Sequence, residues 1–439
     1  MKKKLSVILS CLLLAPVVAS CGAEESSSSS SKATQSSVVE ISSAASSSAK
    51  ESKASSSRVS SSSRSLTPEE IYESQFEFEE IEGGYSVSLA STCRAKKLEL
   101  PTTHAGKPVL VVNDLNSIYL EEVIVPEGIK ELSYMSFNNC RRMHTIELPK
   151  SLEDMGLYTF NEALETVFYD GTIEDWCNIS MNAYQTNPMS FATLFNIKDE
   201  NGHTNYNGNK YSLLTDVVIP ESITEIGNYQ FYGSKCIFNL DLGNSVETIG
   251  SYAFAETTIN KINIPDSVKT IKDKAFYRCT SVNELTIGSG LTELGDYTFV
   301  GCMMENVVIP DSVKVLPECI FMTSSKLKTI VLPAGLTEVQ GGVNLCYSYT
   351  GGVSVLEKIY YKGTAPFESA VTVSENNNDD FNKATIYYLT ANGENETQAG
   401  NWWYYGSEGA IVEKVVEYYL NYDNILNKEI CVWKISINY

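Results

Sequence analysis

Ile259-Asn-Lys-Ile-Asn-Ile-Pro-Asp-Ser-Val-Lys-Thr-Ile-Lys-Asp-Lys-Ala-Phe-Tyr-Arg-Cys279 holds two extended stretches and a corner within 21 residues. Apolar side chains alternate through Ile262 and Ile264, the period of a strand with one buried face. Pro265 ends that strand, where its missing N–H removes no ladder hydrogen bond. Val268 and Ile271 mark a second, shorter extended stretch, and Ala275-Phe276 brings a bulky ring inward at a tight corner. Such a unit cannot bury its apolar edge alone, so units of the same outline must stack on it.

The frame recurs on both sides. Leu120, Val123, Val125 and Pro126 open one unit that ends at Phe137 and Cys140; Met143, Ile146, Leu148, Pro149, Leu152 and Phe160 mark the next. Corner phenylalanines fall at 137, 160, 231, 254, 276, 299 and 321, in steps of 22 or 23 apart from one gap of 71. A Pro-or-Gly column at 126, 149, 220, 243, 265, 288, 310 and 333 keeps the same step. The gap is close to three units, so residues 164–212 are expected to hold two irregular coils rather than a foreign domain. The expected fold is a solenoid of parallel, in-register strands about 4.8 Å apart.

Ile-Pro-Asp-Ser-Val at 264–268 and 309–313, Ile-Gly-x-x-Ala-Phe at 249–254 and Ala-Phe-x-x-Cys at 275–279 carry a resemblance. They resemble the BspA-like family of bacterial leucine-rich repeats, whose unit reads roughly L-x-x-I-x-I-P-x-S-V-x-x-I-G-x-x-A-F-x-x-C. Gly171-Thr-Ile-Glu-Asp-Trp176 with Asn187-Pro188 looks like that family's irregular coil; Tyr360-Tyr361-Lys362-Gly363-Thr364 and Ala384-Thr-Ile-Tyr387-Tyr388 look like its C-terminal coils. The resemblance implies a leucine-rich-repeat solenoid, α/β by convention but mostly short β-strands with turns and 3-10 corners. The solenoid would span 98–365, with C-terminal irregular coils and a cap over 366–439; the tail 406–439 departs from the pattern.

The N-terminus reads as an address. Lys2, Lys3 and Lys4 precede an apolar run from Leu5 to Ala19, too short for the ~20 residues of a membrane span. Residues 1–20 are thus a signal peptide. Val-Ala-Ser-Cys at 18–21 resembles the lipobox of bacterial lipoproteins, which implies a lipid anchor on Cys21. Residues 21–65 are expected to be a disordered tether, since 26–65 contain 22 serines and no aromatic residue. Thr67-Pro68-Glu69-Glu70 is a capping-box helix start, and Phe76-Glu77-Phe78 and Tyr85–Leu89 alternate around Gly83-Gly84 as a hairpin. Residues 66–97 form the expected N-terminal cap.

Composition narrows the function. Lys+Arg number 33 against 54 Asp+Glu, a net charge of −21, which argues against a nucleic-acid partner. Three histidines, His104, His144 and His203, argue against a multi-histidine metal centre, and no hydrolase, zincin, phosphate-loop or dinucleotide motif appears. No cofactor is expected, and no enzyme. Cys140, Cys279 and Cys302 share one repeat position with Ala163, Thr257 and Ser324, which reads as a small packing site; a Cys279–Cys302 disulfide remains open. Asp199-Glu200-Asn201 and the group Glu375, Asp379 and Asp380 read as solvated loops rather than calcium sites.

The functional expectation is a surface. Along each strand the third and fifth positions face away from the core. These outward residues are polar in the middle coils, and Val308 and Val331 add an apolar strip. The expected ligand-binding residues are Glu147, Asp241, Lys261, Asn263, Glu284, Thr286, Asn306, Val308, Thr329 and Val331. The resemblance implies a cell-surface lipoprotein on the outer side of a bacterial envelope. It would bind extracellular, host or matrix proteins or other cells, and be held to the membrane through Cys21. The rivals are an aromatic C-terminal platform for glycans, around Trp402 and Trp403, and a non-adhesive envelope scaffold.

Overall fold

The computed structural model describes residues 67–204 and 208–340, then 356–363, 366–374, 384–389, 400–405, 411–417 and 430–437. The signal peptide, Cys21, the tether and the Glu375–Asp380 group lie outside these residues.

Each regular coil gives a three- or four-residue strand to one sheet and a two-residue strand to another. Lys261–Ile264 pairs in parallel with Glu284–Ile287, and Thr270–Ile271 lies between Thr248–Ile249 and Glu293–Leu294. Inward side chains meet between the sheets: Ile262, Ile264, Val268, Ile271, Phe276 and Cys279 are all buried. Repetition gives a β-solenoid of about 12 turns.

The corner rings stack along the solenoid. Phe231, Phe254, Phe276, Phe299 and Phe321 follow at 5.2, 5.4, 5.7 and 6.0 Å between ring centres, nearly parallel. Phe137 and Phe160 form a second, separate stack at 6.0 Å. Two residues before each ring the backbone is left-handed: Met135, Tyr158, Tyr229, Tyr252, Lys274, Tyr297 and Cys319 have φ between 53° and 59°. That conformation costs a non-glycine residue roughly 1–2 kcal/mol. Corner N–H groups bonded to the next coil offset it, as in Tyr229 N to Ser251 O (3.0 Å) and Phe231 N to Ala253 O (2.8 Å). A left-handed residue also cannot continue a 3-10 run. The regular corners are therefore turns, and the one 3-10 helix among the described residues is Pro188–Ser190.

The small-residue position does more than fill space. Cys140 Sγ donates to Leu115 O (3.2 Å), Cys279 Sγ to Phe254 O (3.0 Å) and Ser324 Oγ to Phe299 O (3.2 Å). Each ties one coil to the carbonyl of the preceding one. The cysteines among the described residues are free thiols, Cys279 and Cys302 included.

At the N-terminal end, Pro68–Glu73 is a helix with the reciprocal Thr67/Glu70 capping box. The hairpin Phe76–Ile81/Gly84–Leu89 turns at Gly83 (φ 84°) and joins the second sheet through Lys107–Val112.

Both sheets break in the middle. The first coil of the gap has the strand Thr166–Tyr169, a helix Ile173–Cys177 and the short strand Ser180–Met181. The second has a face strand, Leu194–Thr204, but no second-sheet strand among the described residues, and returns antiparallel through Lys210–Leu213. The next block starts at Asp216–Val218 and Glu225–Ile226. Side chains bridge the break. Trp176 Nε1 donates to Gln230 O (2.9 Å), Gln230 Nε2 donates back to Trp176 O, and Asn187 Nδ2 donates to Tyr229 O (2.7 Å).

At the other end, Lys358–Tyr361, Thr385–Leu389 and Gly400–Tyr405 continue the parallel face sheet. The unread tail contributes Ile411–Glu417 and Ile430–Ile437, an antiparallel extension of that sheet.

Candidate binding surface

In-register parallel pairing aligns outward side chains in rows. One row runs Asp216–Asn239, and beside it stand Val218 and Asp241; the next coils pair Lys261 with Glu284 and Asn263 with Thr286. All eight are exposed, as is Val308, while Asn306 is half-buried. Thr215 Oγ1 and Asn239 Nδ2 donate to the Asp216 carboxylate and hold it below the usual aspartate range. Lys261 Nζ lies 2.6 Å from Glu284 Oε2, with both side chains about 60% in solvent. An exposed pair of this kind contributes little to stability. It leaves the face rigidly patterned and wet.

Three of the expected face residues are not on the open face. Glu147 is 6% exposed. Its carboxylate accepts from Tyr211 Oη and Asn209 Nδ2, both at 3.0 Å, and the Tyr211 ring packs on Phe168 at 5.0 Å. Burial and the adjacent Glu147 carboxylate push the Tyr211 hydroxyl well above its ordinary pKa, so it stays a donor. Val331 is 1% exposed and joins Tyr360, Tyr387, Trp403 and Ile411 in a second core on the outward side of the sheet. Thr329, also buried, is flanked in register by Lys358, whose ammonium lies 5.8 Å from the Tyr387 ring centre. The expected apolar strip is thus cut in half, leaving Val308.

Part of the expected aromatic platform is packed away in the same layer. Trp403 is fully buried, its Nε1 donating to Tyr361 O (3.2 Å), and Tyr360, Tyr361 and Tyr387 are buried with it. The side chain of Trp402 lies outside the described residues. The expected face residues that remain open lie in a window of five strands, 216–218 to 306–308, between the Tyr211 hairpin and the aromatic layer.

Residues 115–198 and 206–328 match the family described as BspA type leucine-rich repeat region, in six copies. Over these residues the chain carries BspA-type leucine-rich repeats. Solved structures similar to it include a leucine-rich-repeat protein from Bacteroides ovatus (18% identity, 71% of this chain and 76% of that one, TM-score 0.43). Others are the pneumococcal vaccine antigen PcpA (16%, 69% and 95%, 0.34) and a leucine-rich cell surface protein from Faecalibacterium prausnitzii (16%, 72% and 94%, 0.35). Among curated proteins no relative matches.

In this BspA-type solenoid five of the described cysteines are poor nucleophiles. Burial pushes the thiols of Cys140 and Cys279 up to about 11 and that of Cys177 up to about 12, and raises Cys302 and Cys319. The histidines have other roles. His104 stacks on Phe78 at 3.8 Å, His144 Nδ1 contacts Thr145 Oγ1 at 2.9 Å, and His203 sits in the hairpin strand. Asp199 is committed to the same hairpin, accepting from Ser212 Oγ at 2.6 Å. No helix among the described residues is long and apolar enough to cross a membrane.

The hairpin that covers Glu147 is testable. Tyr211→Phe keeps the ring but removes a donor from a buried carboxylate. Stability should fall by about 1–2 kcal/mol in urea unfolding, and Asn209→Ala should cost less because Asn209 is exposed. Equal stability of Tyr211→Phe and wild type would remove the hydroxyl from the account.

Proposed function

We propose that this protein binds another protein through the open window of its strand face, as a surface lipoprotein of a bacterial envelope. One observation carries the reading: the outward face is covered over Glu147 by the Tyr211 hairpin and over Val331 by the aromatic layer, and is left bare over the five strands between these two covers. The bare part is polar and mixed in charge, with exposed Val218 and Val308 as apolar contacts. Its carboxylates Asp216, Asp241 and Glu284 outnumber Lys261, which favours a basic partner patch and a salt-sensitive encounter rate.

The window spans about 20 Å across its strands. That is small against the ~800 Å² each partner gives to a standard interface. A partner must therefore also touch the strand entrances, where Phe238, Asn260, Asn283 and Glu305 are exposed. Binding of host, matrix or neighbouring-cell proteins, hence adhesion, is the role this geometry serves. Cys21 and the serine-rich segment would place the solenoid outside the membrane on a tether.

The test is a binding screen of the full chain against immobilised matrix and host surface proteins, at low and physiological salt. Saturable, salt-weakened binding supports the reading; silence across the panel from folded protein leaves an envelope scaffold instead. For the anchor, Cys21→Ala should shift the chain from the membrane fraction to the soluble fraction. An unchanged fractionation would remove the lipid anchor.

A further inference from the structure

The corner column of phenylalanines is interrupted between Phe160 and Phe231, where the irregular coil passes. A cleft of about 610 Å³ opens there, on the corner side and away from the strand face. That volume is in the range of small-molecule sites, and the cleft opens broadly to solvent, as a groove for part of an extended ligand would. Three successive stretches of chain line it.

Its two exposed aromatic rings are Tyr158 and Tyr184, each braced from outside the cleft. Tyr158 meets Tyr134 edge-on at 6.1 Å, and Tyr184 lies 5.5 Å from Tyr232. Phe191 adds a half-buried apolar wall. Asn161 belongs to the frame: its Nδ2 donates to Phe137 O and its Oδ1 accepts from Ala163 N, both at 2.9 Å. By contrast Asn138, Arg141, Glu162 and Gln185 also line the cleft, and their side chains make no hydrogen bond or ion pair among the described residues.

We propose that this cleft binds a neutral pyranose oligosaccharide. A sugar ring offers an apolar C–H face and a rim of vicinal hydroxyls. Exposed tyrosine faces suit the first. Planar amides, a guanidinium and a carboxylate, supplying donors and acceptors side by side, suit the second. The site is independent of the strand-face window and of the buried C-terminal aromatics. It places glycan recognition at the irregular stretch of the corner column between Phe160 and Phe231.

The full chain is titrated with maltohexaose, cellohexaose and chitohexaose, read by saturation-transfer NMR and calorimetry. Saturable binding to at least one is expected. Tyr184→Ala and Arg141→Ala should each weaken it at least roughly tenfold, about what one lost stacking or charge-assisted contact is worth. Tyr119→Ala, an exposed tyrosine outside the cleft, should leave it unchanged. Circular dichroism and melting temperature of all three variants should match wild type, because the replaced side chains are exposed. The proposal is overturned if none of the three sugars binds, or if binding survives both cleft substitutions.

Discussion

Trp176→Ala should lower the unfolding free energy by about 3–5 kcal/mol and split the urea transition in two. Trp176 is fully buried against Tyr169 (5.1 Å) and Phe195 (4.8 Å). A cavity of that size accounts for the loss in stability. The split has a different cause. Neither sheet runs through the break after Ser180–Met181 and the hairpin, so the halves of the solenoid lack a shared strand ladder there. Trp176, Gln230 and Asn187 supply side-chain bonds in its place. In a repeat protein stability is approximately a sum of unit and neighbour terms, and weakening one neighbour term uncouples the blocks. Fluorescence of the remaining tryptophans and far-ultraviolet circular dichroism should then give different midpoints. A single coincident transition in the variant would show that the bridge is not what couples the halves.

Phe276→Ala should cost a similar amount, about 3–5 kcal/mol, without splitting the transition. The ring is fully buried between Phe254 and Phe299, so its loss leaves a cavity and removes two stacked contacts worth roughly 0.5–1.5 kcal/mol each. The second sheet is continuous through Thr248–Ile249, Thr270–Ile271 and Glu293–Leu294, so the block should still melt as a unit. Phe276→Leu, which keeps most of the volume, should recover more than half of the loss. If leucine and alanine behave alike, the packing of this column is looser than the stack implies.

The solenoid was legible because its determinants are local and repeated. Pro265, Val268, Ile271 and Phe276 carry the pattern within a dozen residues, and the same frame returns seven times. The left-handed corners were not legible, because ordinary residues such as Tyr252 and Lys274 occupy them and hydrogen bonds to the next coil hold them there. The window was read as too long at both ends. What covers Glu147 lies 64 residues on, at Tyr211, and what covers Val331 comes from Trp403 and Ile411. A partial signal was present: Thr329-Ile-Val-Leu332 and Lys358-Ile-Tyr-Tyr361 lose the alternation of a one-sided strand, as strands buried on both faces do. Phe168 gives a similar signal beside Glu147. The role of Trp176 and Asn187 as a bridge depends on Gln230, 54 and 43 residues away, so no local pattern could announce it.

The central claim is that the bare window, and not solenoid surface in general, meets a partner. The most direct test takes a protein captured in the binding screen and measures its affinity for three variants: Val218→Asp and Val308→Asp in the window, and Leu157→Asp outside it. Their side chains are exposed by 60%, 41% and 42%, so each substitution should be tolerated by the fold. The window variants should weaken binding at least roughly tenfold, about 1.4 kcal/mol, with Leu157→Asp equal to wild type. Equal affinity of all four proteins, or a loss confined to Leu157→Asp, would contradict the window as the binding surface.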